Sequence, residues 1–211
     1  MNNNLTPAAT VLVLKNSKTD IEVLMVKRSK RPPFENLYVF PGGKIDDDDY
    51  IEELELYTDG LNDIKASQIL GLKRGGLGFW IACIRECFEE VGILFAKRKS
   101  GESLDFLGDE KISFDKYRKM LINNKINMMD ICKREDLILS TLNIAPLSHW
   151  ITPNIETRRF DTRFFIAFLP ENQIESHDGN ELTQSLWINP TQAIDRAFKG
   201  CLLYTSDAAD D

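Results

Sequence analysis

The pattern of apolar and polar residues predicts a protein in which strands and helices alternate along the chain. Near the start, residues 8–14 and 22–28 read as two strands joined by a polar turn. Short apolar runs bounded by turn residues predict further strands at 37–40, 93–96, 147–151, 163–169 and 186–188. Helical spacing is found at 50–57, 64–70, 79–90, 113–122 (with Ser113 as N-cap), 128–139 and from 189 onward. This order predicts an α/β fold with a mixed sheet sandwiched between helices.

The predicted helix at 79–90 carries three glutamates close to its end, and Gly92 is its predicted C-cap. Glu86, Glu89 and Glu90 fall at i, i+3 and i+4, so they project from one face of the helix. Like charges at this spacing repel one another and destabilise an isolated helix. A hard divalent cation such as Mg²⁺ would offset that repulsion, because it prefers oxygen ligands and binds beside phosphates. The alternative is an acidic helix face that only contacts water.

A glycine-rich string lies about forty residues upstream, at Phe40-Pro41-Gly42-Gly43-Lys44-Ile45-Asp46. It follows the apolar run 37–40 and reads as a strand that ends in a flexible loop. Glycines at such a place let backbone N–H groups approach an anion. A purely structural turn is the alternative for this string taken by itself.

Together the two strings resemble the Nudix box, the motif G-x5-E-x7-R-E-U-x-E-E-x-G-U in which U is apolar. Gly43 matches its first glycine, and its second half is matched by Arg85, Glu86, Glu89, Glu90, Gly92 and Ile93. Cys87 occupies an apolar position of the motif, and the first glutamate falls on Asp49. The motif has seven residues between that acid and the arginine, whereas this chain has 85 − 49 − 1 = 35. An insertion at about 47–78 therefore splits the box.

The place of the insertion narrows the resemblance to one branch of the superfamily. Peroxisomal acyl-CoA diphosphatases carry an insertion there, and the strings 150–153 (WITP) and 158–165 (RRFDTRFF) are similar to that branch as well. The resemblance implies a Nudix-type α/β/α sandwich with two helical insertions, at about 47–78 and 113–139. We expect the first insertion to fold against the mouth of the site, because a segment of this length is too short to bury a core of its own.

The resemblance also implies a reaction: metal-dependent hydrolysis of a diphosphate joined to a nucleoside. Mg²⁺ or Mn²⁺ would be held by Glu86, Glu89 and Glu90, and Arg85 would orient a glutamate or the loop. The general base is a glutamate of the box or Glu181 from a later loop. Coenzyme A or acyl-CoA is the expected substrate, giving 3′,5′-ADP and (acyl-)4′-phosphopantetheine. ADP-ribose, a dinucleotide or an NTP is the enzymatic alternative, and a nucleotide-sensing Nudix-fold module is the non-enzymatic one.

Three arginines form a basic cluster in an otherwise acidic chain. In a strand, Arg159 and Arg163 would share one face and could clamp phosphates together, with Arg158 on the opposite face. Ion pairs with nearby acids such as Asp161 are the alternative. Gly42, Gly43 and Arg28 are further candidates for contacts with the substrate.

Length and charge exclude several other classes. The 211 residues fit one domain, taken as 1–200, and the net charge of 26 − 33 = −7 offers no general attraction for nucleic acid or an anionic membrane. A small nucleotide is therefore the expected partner. The start of the chain has no secretory signal, and Cys83, Cys87 and Cys132 match no zinc pattern, so a cytoplasmic location is expected. Residues 201–211 resemble a translated sequencing adapter, and we interpret them as an artefact.

Overall fold

The computed structural model describes residues 5–18, 20–28, 37–176 and 182–199. Its strands are β1 (Thr6–Asn16), β2 (Ile21–Arg28), β3 (Tyr38–Val39), β4 (Gly42–Lys44), β5 (Ala96–Arg98), β6 (Leu137–Leu139), β7 (Ile144–Ile151), β8 (Phe160–Phe168) and β9 (Leu182–Ile188). Its α-helices are α1 (Asp63–Leu70), α2 (Gly76–Val91), α3 (Glu110–Ile122), α4 (Met128–Glu135) and α5 (Pro190–Phe198). Short 3₁₀ helices cover Asp47–Tyr50, Glu52–Tyr57 and Thr141–Asn143.

The main sheet is mixed, as the sequence predicts. Its strands run in the order β3-β2-β1-β8-β7, with β4 also paired to β1 and β9 also paired to β2. The β1–β8 pair is parallel, and the pairs that β1 makes with β2 and β4 are antiparallel. A second, two-stranded sheet pairs β5 with β6.

Both faces of the main sheet are covered, because apolar residues of β1 alternate between two cores. Val11 and Val13 pack in the larger core, which also holds α2. Leu12 and Leu14 point to the smaller core on the opposite face, where Ala193 of α5 packs. This arrangement confirms the predicted α/β/α sandwich.

The inserted segment 47–78 shares the larger core with the rest of the chain. Leu54, Leu61 and Ala66 are buried there beside α2. Helix α1 approaches α2 so closely that a Cβ atom on Gly76 would lie 2.3 Å from the backbone nitrogen of Ser67. Only a glycine permits this approach. The segment is thus packed onto the helix that follows it in the sequence.

Several predicted boundaries are wrong, each for a local reason. Residues 50–57 form 3₁₀ turns interrupted at Ile51, whose backbone is extended. The helix predicted at 128–139 ends at Glu135, because Asp136 adopts a left-handed conformation with φ 49°, and β6 follows it. Helix α3 begins at Glu110, not at Ser113, since the turn after Gly108 already carries helical hydrogen bonds.

A part of the prediction lies outside the described residues, namely Glu181, the segment 201–211 and the side chain of Arg28. Within the described ranges, no helix has the length and apolar character needed to cross a membrane.

Candidate active site

Helix α2 is anchored by its buried half, which fixes where its acidic end lies. The indole Nε1 of Trp80 donates to the carbonyl of Ile144 at 2.9 Å, and its ring meets Phe165 edge-on. The helix ends at Gly92, which has φ 70° and donates its N–H to the carbonyl of Phe88. Gly92 is the C-cap that the sequence predicts. The acidic face of α2 is therefore held at a fixed position against β4.

Arg85 is the centre of this face, and its guanidinium is buried. Nε and Nη2 donate to the two carboxylate oxygens of Asp49 at 2.9 and 2.8 Å. Nη1 donates to Glu86 at 2.8 Å and to Glu89 at 3.0 Å. Nη2 also donates to the backbone carbonyl of Lys44 at 2.8 Å and lies 3.5 Å from Asp46. Arg85 thus joins α2, β4 and the first 3₁₀ turn of the insertion.

Negative charge is crowded around this single cation. Burial raises the pKa of Glu86 to about 8, against the opposing effect of Arg85 and with a further rise from Glu89. Burial also raises the pKa of Glu89 and of Asp49, while Arg85 acts to lower both. Burial acts to lower the pKa of Arg85, but its contacts with Asp49, Glu86 and Glu89 hold it above the usual value. A proton or a second cation is therefore stabilised here.

The predicted glycine-rich loop is in fact strand β4, held between β1 and α2. Gly42 and Gly43 pair with Thr10 and Ala9 of β1. The N–H of Gly42 donates to Glu90 at 2.9 Å, and a Cβ on Gly43 would lie 2.5 Å from Oε1 of Glu86. A Cβ on Gly42 would lie 2.4 Å from the carbonyl of Ala9. Gly42 is required because a Cβ there would meet backbone, whereas a Cβ on Gly43 would displace the carboxylate of Glu86.

The acidic face has the donor set that a divalent cation prefers. Arg85 contacts four carboxylates, those of Asp46, Asp49, Glu86 and Glu89, so 4 − 1 = 3 negative charges are in excess when all are ionised. Hard oxygen ligands and excess negative charge suit a hard divalent cation. Among the described residues, no three acidic, histidine or cysteine side chains already converge as a ligand set. Instead, Arg85 binds Glu86 and Glu89, and the Gly42 N–H binds Glu90.

The arginine cluster is divided among different contacts. Arg163 is buried: Nη1 donates to the carbonyl of Leu70 at 3.0 Å, and Nε lies 3.2 Å from Asp161. Its guanidinium also lies over the ring of Phe79. Arg159 donates from Nε to the carbonyl of Thr152, and Arg158 is exposed. Arg163 therefore has the ion pair that was the alternative to a phosphate clamp, and its bond to Leu70 ties it to the insertion.

One residue at the site was not found by sequence reasoning. Arg118 of α3 donates from Nε to the carbonyl of Glu89 at 2.9 Å and from Nη1 to the hydroxyl of Ser176 at 3.2 Å. A cation at the last carbonyls of a helix stabilises that end. Arg118 thus ties the second helical insertion to the acidic end of α2. Its charge in the amphipathic segment 113–122 was the only signal in the sequence.

The arrangement of helices and sheet is that of a solved Nudix hydrolase. The crystal structure of a Nudix hydrolase from Alicyclobacillus acidocaldarius superposes with a TM-score of 0.77, covering 98% of this chain and 88% of that chain at 23% identity. This similarity shows the fold and confirms the predicted Nudix-type sandwich.

The family follows from the sequence of the chain. The chain belongs to the NUDT19 Nudix domain family, whose model matches residues 4–204. Members of the Nudix group generally require divalent metal ions. The insertion between Asp49 and Arg85 is therefore an elaboration of a Nudix domain.

Two of the similar curated proteins are named after an enzymatic activity. The chain is 30% identical over 212 residues to the acyl-coenzyme A diphosphatase NUDT19 of Xenopus laevis, covering 86% of this chain and 56% of the relative. It is 26% identical to the protein of the same name from Gallus gallus, with 84% and 56% covered. A putative nudix hydrolase 7 of Caenorhabditis elegans is 27% identical over 186 residues, with 87% and 52% covered. The chain spans about half the length of these relatives.

Proposed function

We propose that this protein hydrolyses the diphosphate of coenzyme A or an acyl-CoA, giving 3′,5′-ADP and 4′-phosphopantetheine or its acyl form. The observation that carries the proposal is the face organised by Arg85. It gathers Asp49, Glu86 and Glu89 beside Gly42 and Gly43, although 35 residues separate the two halves of the motif. Membership of the NUDT19 Nudix domain family and the names of the curated relatives support the choice of substrate.

The reaction adds one water across the phosphoric anhydride. A P–O–P bond breaks, the water oxygen joins one phosphorus, and each product carries a terminal phosphate. A divalent cation, Mg²⁺ or Mn²⁺, held by Glu86, Glu89 and Glu90 would neutralise phosphate charge and lower the pKa of a water molecule. Arg85 orients Glu86 and Glu89 by charge-assisted hydrogen bonds. The Gly42 N–H fixes the carboxylate of Glu90.

Two further roles are the transfer of a proton from the attacking water and the binding of the substrate phosphates. We propose Glu181 or a glutamate of the α2 face as the proton acceptor for the attacking water. We propose that Arg158 and Arg159 bind substrate phosphates together with Arg28, because guanidinium groups recognise phosphate in a bidentate manner. Arg163 would help to position that site, because it is bonded to Leu70 of the insertion and to Asp161 of β8.

The remaining parts of the proposal concern partners and location. A net charge of −7 supports a small nucleotide as the partner, with neither nucleic acid nor membrane involved. The thiols of Cys83, Cys87 and Cys132 are free and buried, which is compatible with the reducing cytoplasm.

A panel of substrates tests the proposal. Purified protein is given coenzyme A, an acyl-CoA, ADP-ribose, a dinucleotide and an NTP, each with Mg²⁺, with Mn²⁺ and with excess chelator. The proposal predicts the highest kcat/KM for coenzyme A or acyl-CoA and no turnover in chelator. Preference for ADP-ribose or an NTP would support the alternative Nudix reaction. Tight nucleotide binding without turnover of any substrate would support the sensing module.

A further inference from the structure

A cleft of about 860 Å³ opens beside the insertion, between part of its surface and the start of α2. One wall is made by the insertion, with Tyr50, Ile51 and Ile64 among its residues. The other walls are the start of α2 at Leu77–Phe79, the beginning of β1 at Pro7, and Asp161 of β8. A volume of this size fits a small-molecule ligand.

The cleft adjoins the candidate active site at Asp49. This residue lines the cleft, and its carboxylate is bound to Arg85, which in turn holds Glu86 and Glu89. Along α2, Gly78 precedes Glu86 by eight residues, which places the cleft about 12 Å along the helix axis from the acidic face. A substrate bound at the acidic face would have to extend over about this distance to occupy the cleft.

The charge of the cleft does not suit a phosphate. Five of its lining residues are acids (Asp49, Glu52, Glu55, Asp63 and Asp161), and Arg74 is its one basic residue. Asp49 and Asp161 are balanced by Arg85 and Arg163. Glu52, Glu55 and Asp63 remain against the one positive charge of Arg74, an excess of 3 − 1 = 2 negative charges, while Asp63 also accepts from the N–H groups of Gly75 and Leu77. Phosphate groups are repelled by such a lining, whereas amide N–H and hydroxyl groups can donate to it.

The same cleft has apolar and aromatic walls. Ile64 is 69% exposed and Tyr50 is 41% exposed, and both face the open space. The Tyr50 ring rests against the backbone of α2, because a Cβ on Gly78 would lie 2.6 Å from its Cε1. Within the described ranges no hydrogen bond engages the Tyr50 hydroxyl. Burial and then the charges of Asp49, Asp47, Asp63 and Asp161 raise its pKa, so it stays a neutral donor.

We propose that this cleft binds the uncharged arm of the substrate, the pantetheine chain and any acyl group on it, while the phosphates lie at the Arg85 face. The proposal rests on the proposed function and adds the orientation of the substrate. In coenzyme A the diphosphate joins the 3′-phosphorylated adenosine to the pantetheine arm, and beyond the diphosphate that arm carries only amides, a hydroxyl and a thiol. Placing the nucleotide in the cleft would bring the 3′-phosphate beside Glu52, Glu55 and Asp63. The inserted segment thus acts as a specificity element.

Two isoleucines of α1 give a matched test. Ile64 lines the cleft, and Ile69, 55% exposed on the same helix, does not. Ile64→Glu should raise the KM for acyl-CoA and the Kd for 4′-phosphopantetheine about tenfold, with less than about a twofold change in kcat and in the Kd for 3′,5′-ADP. Ile69→Glu should leave all four values unchanged. The Kd values are measured by calorimetry, without turnover.

The outcomes separate this proposal from the proposed function. If the wild-type protein releases 3′,5′-ADP from coenzyme A but Ile64→Glu behaves like Ile69→Glu, the function stands and the cleft proposal is overturned. If Ile64→Glu weakens 3′,5′-ADP instead of 4′-phosphopantetheine, the cleft holds the nucleotide and the orientation is reversed. If wild-type protein binds 4′-phosphopantetheine through Ile64 yet never cleaves coenzyme A, the hydrolase proposal fails and the subsite remains.

Discussion

The carboxylate of Asp49 and the guanidinium of Arg85 form a buried bidentate pair, with contacts of 2.9 and 2.8 Å across 36 positions of the chain. Asp49 lies in the first turn of the insertion, and Arg85 begins the acidic end of α2. The pair therefore closes the split motif at the base of the insertion. It also joins the cleft to the carboxylates proposed to bind metal.

Loss of this pair should lower the free energy of unfolding. Asp49→Asn removes the bidentate partner of a buried guanidinium that keeps Glu86 and Glu89, and loss of hydrogen bonds to a charged group costs about 1.5–3 kcal/mol. We expect a large fall in the free energy of unfolding, measured by urea denaturation. Asp48→Asn, an exposed neighbour in the same 3₁₀ turn, should change it little. Asp49→Glu restores the charge and should recover part of the stability; equal stability of Asp48→Asn and Asp49→Asn would contradict this structure.

The metal proposal predicts a loss of turnover without a loss of fold. Glu89→Gln and Glu90→Gln should each lower kcat by orders of magnitude, because each removes a ligand of the proposed cation. Calorimetry should also show weaker binding of Mn²⁺. Glu102→Gln, on an exposed turn away from the site, is the control and should retain both properties. Full activity of Glu90→Gln would refute the assignment.

The close approach of Gly43 to α2 predicts a selective effect on catalysis. Gly43→Ala places a methyl group 2.5 Å from Oε1 of Glu86, so the carboxylate must move. We expect kcat to fall while the thermal midpoint changes only slightly, since the end of a side chain yields more easily than backbone. Gly108→Ala is the control, because its Cβ would have no contact shorter than 3.4 Å. Normal kcat in Gly43→Ala would show that the position of Glu86 is not critical.

The arginines of the basic cluster should separate into structural and binding roles. Arg163→Ala removes a buried hydrogen bond to Leu70 and should destabilise the protein by about 1–3 kcal/mol. Arg158→Ala, at an exposed position, should leave stability unchanged and raise the KM for coenzyme A more than for dephospho-coenzyme A. The two measurements are thermal unfolding and steady-state kinetics. An unchanged thermal midpoint in Arg163→Ala would contradict its buried role.

The sequence predicted the elements whose pattern is local. Helix α2 and its cap Gly92 follow from helical spacing and a terminal glycine, and β1 and β2 follow from alternation. The start of α2 at Gly76 could not be predicted, because it depends on contact with Ser67 of another helix. The same holds for Asp136, whose left-handed backbone turns the chain from α4 into β6.

In the site, too, local features were predicted and contacts between distant segments were not. The motif predicted Arg85 and the three glutamates, since their spacing along one helix fixes their common face. It did not predict that Leu70 would bury Arg163, or that Arg118 would bond the carbonyl of Glu89. Those contacts join segments distant in sequence, and they depend on where the two insertions pack. Hydrophobic periodicity carries no information about that packing.

The most direct measurement is identification of the products formed from coenzyme A by mass spectrometry. With Mg²⁺ or Mn²⁺, the proposal predicts equimolar 3′,5′-ADP and 4′-phosphopantetheine, and it predicts neither product with chelator or with the Glu90→Gln variant. Intact coenzyme A and acyl-CoA, under conditions in which the same preparation cleaves ADP-ribose or an NTP, would contradict it.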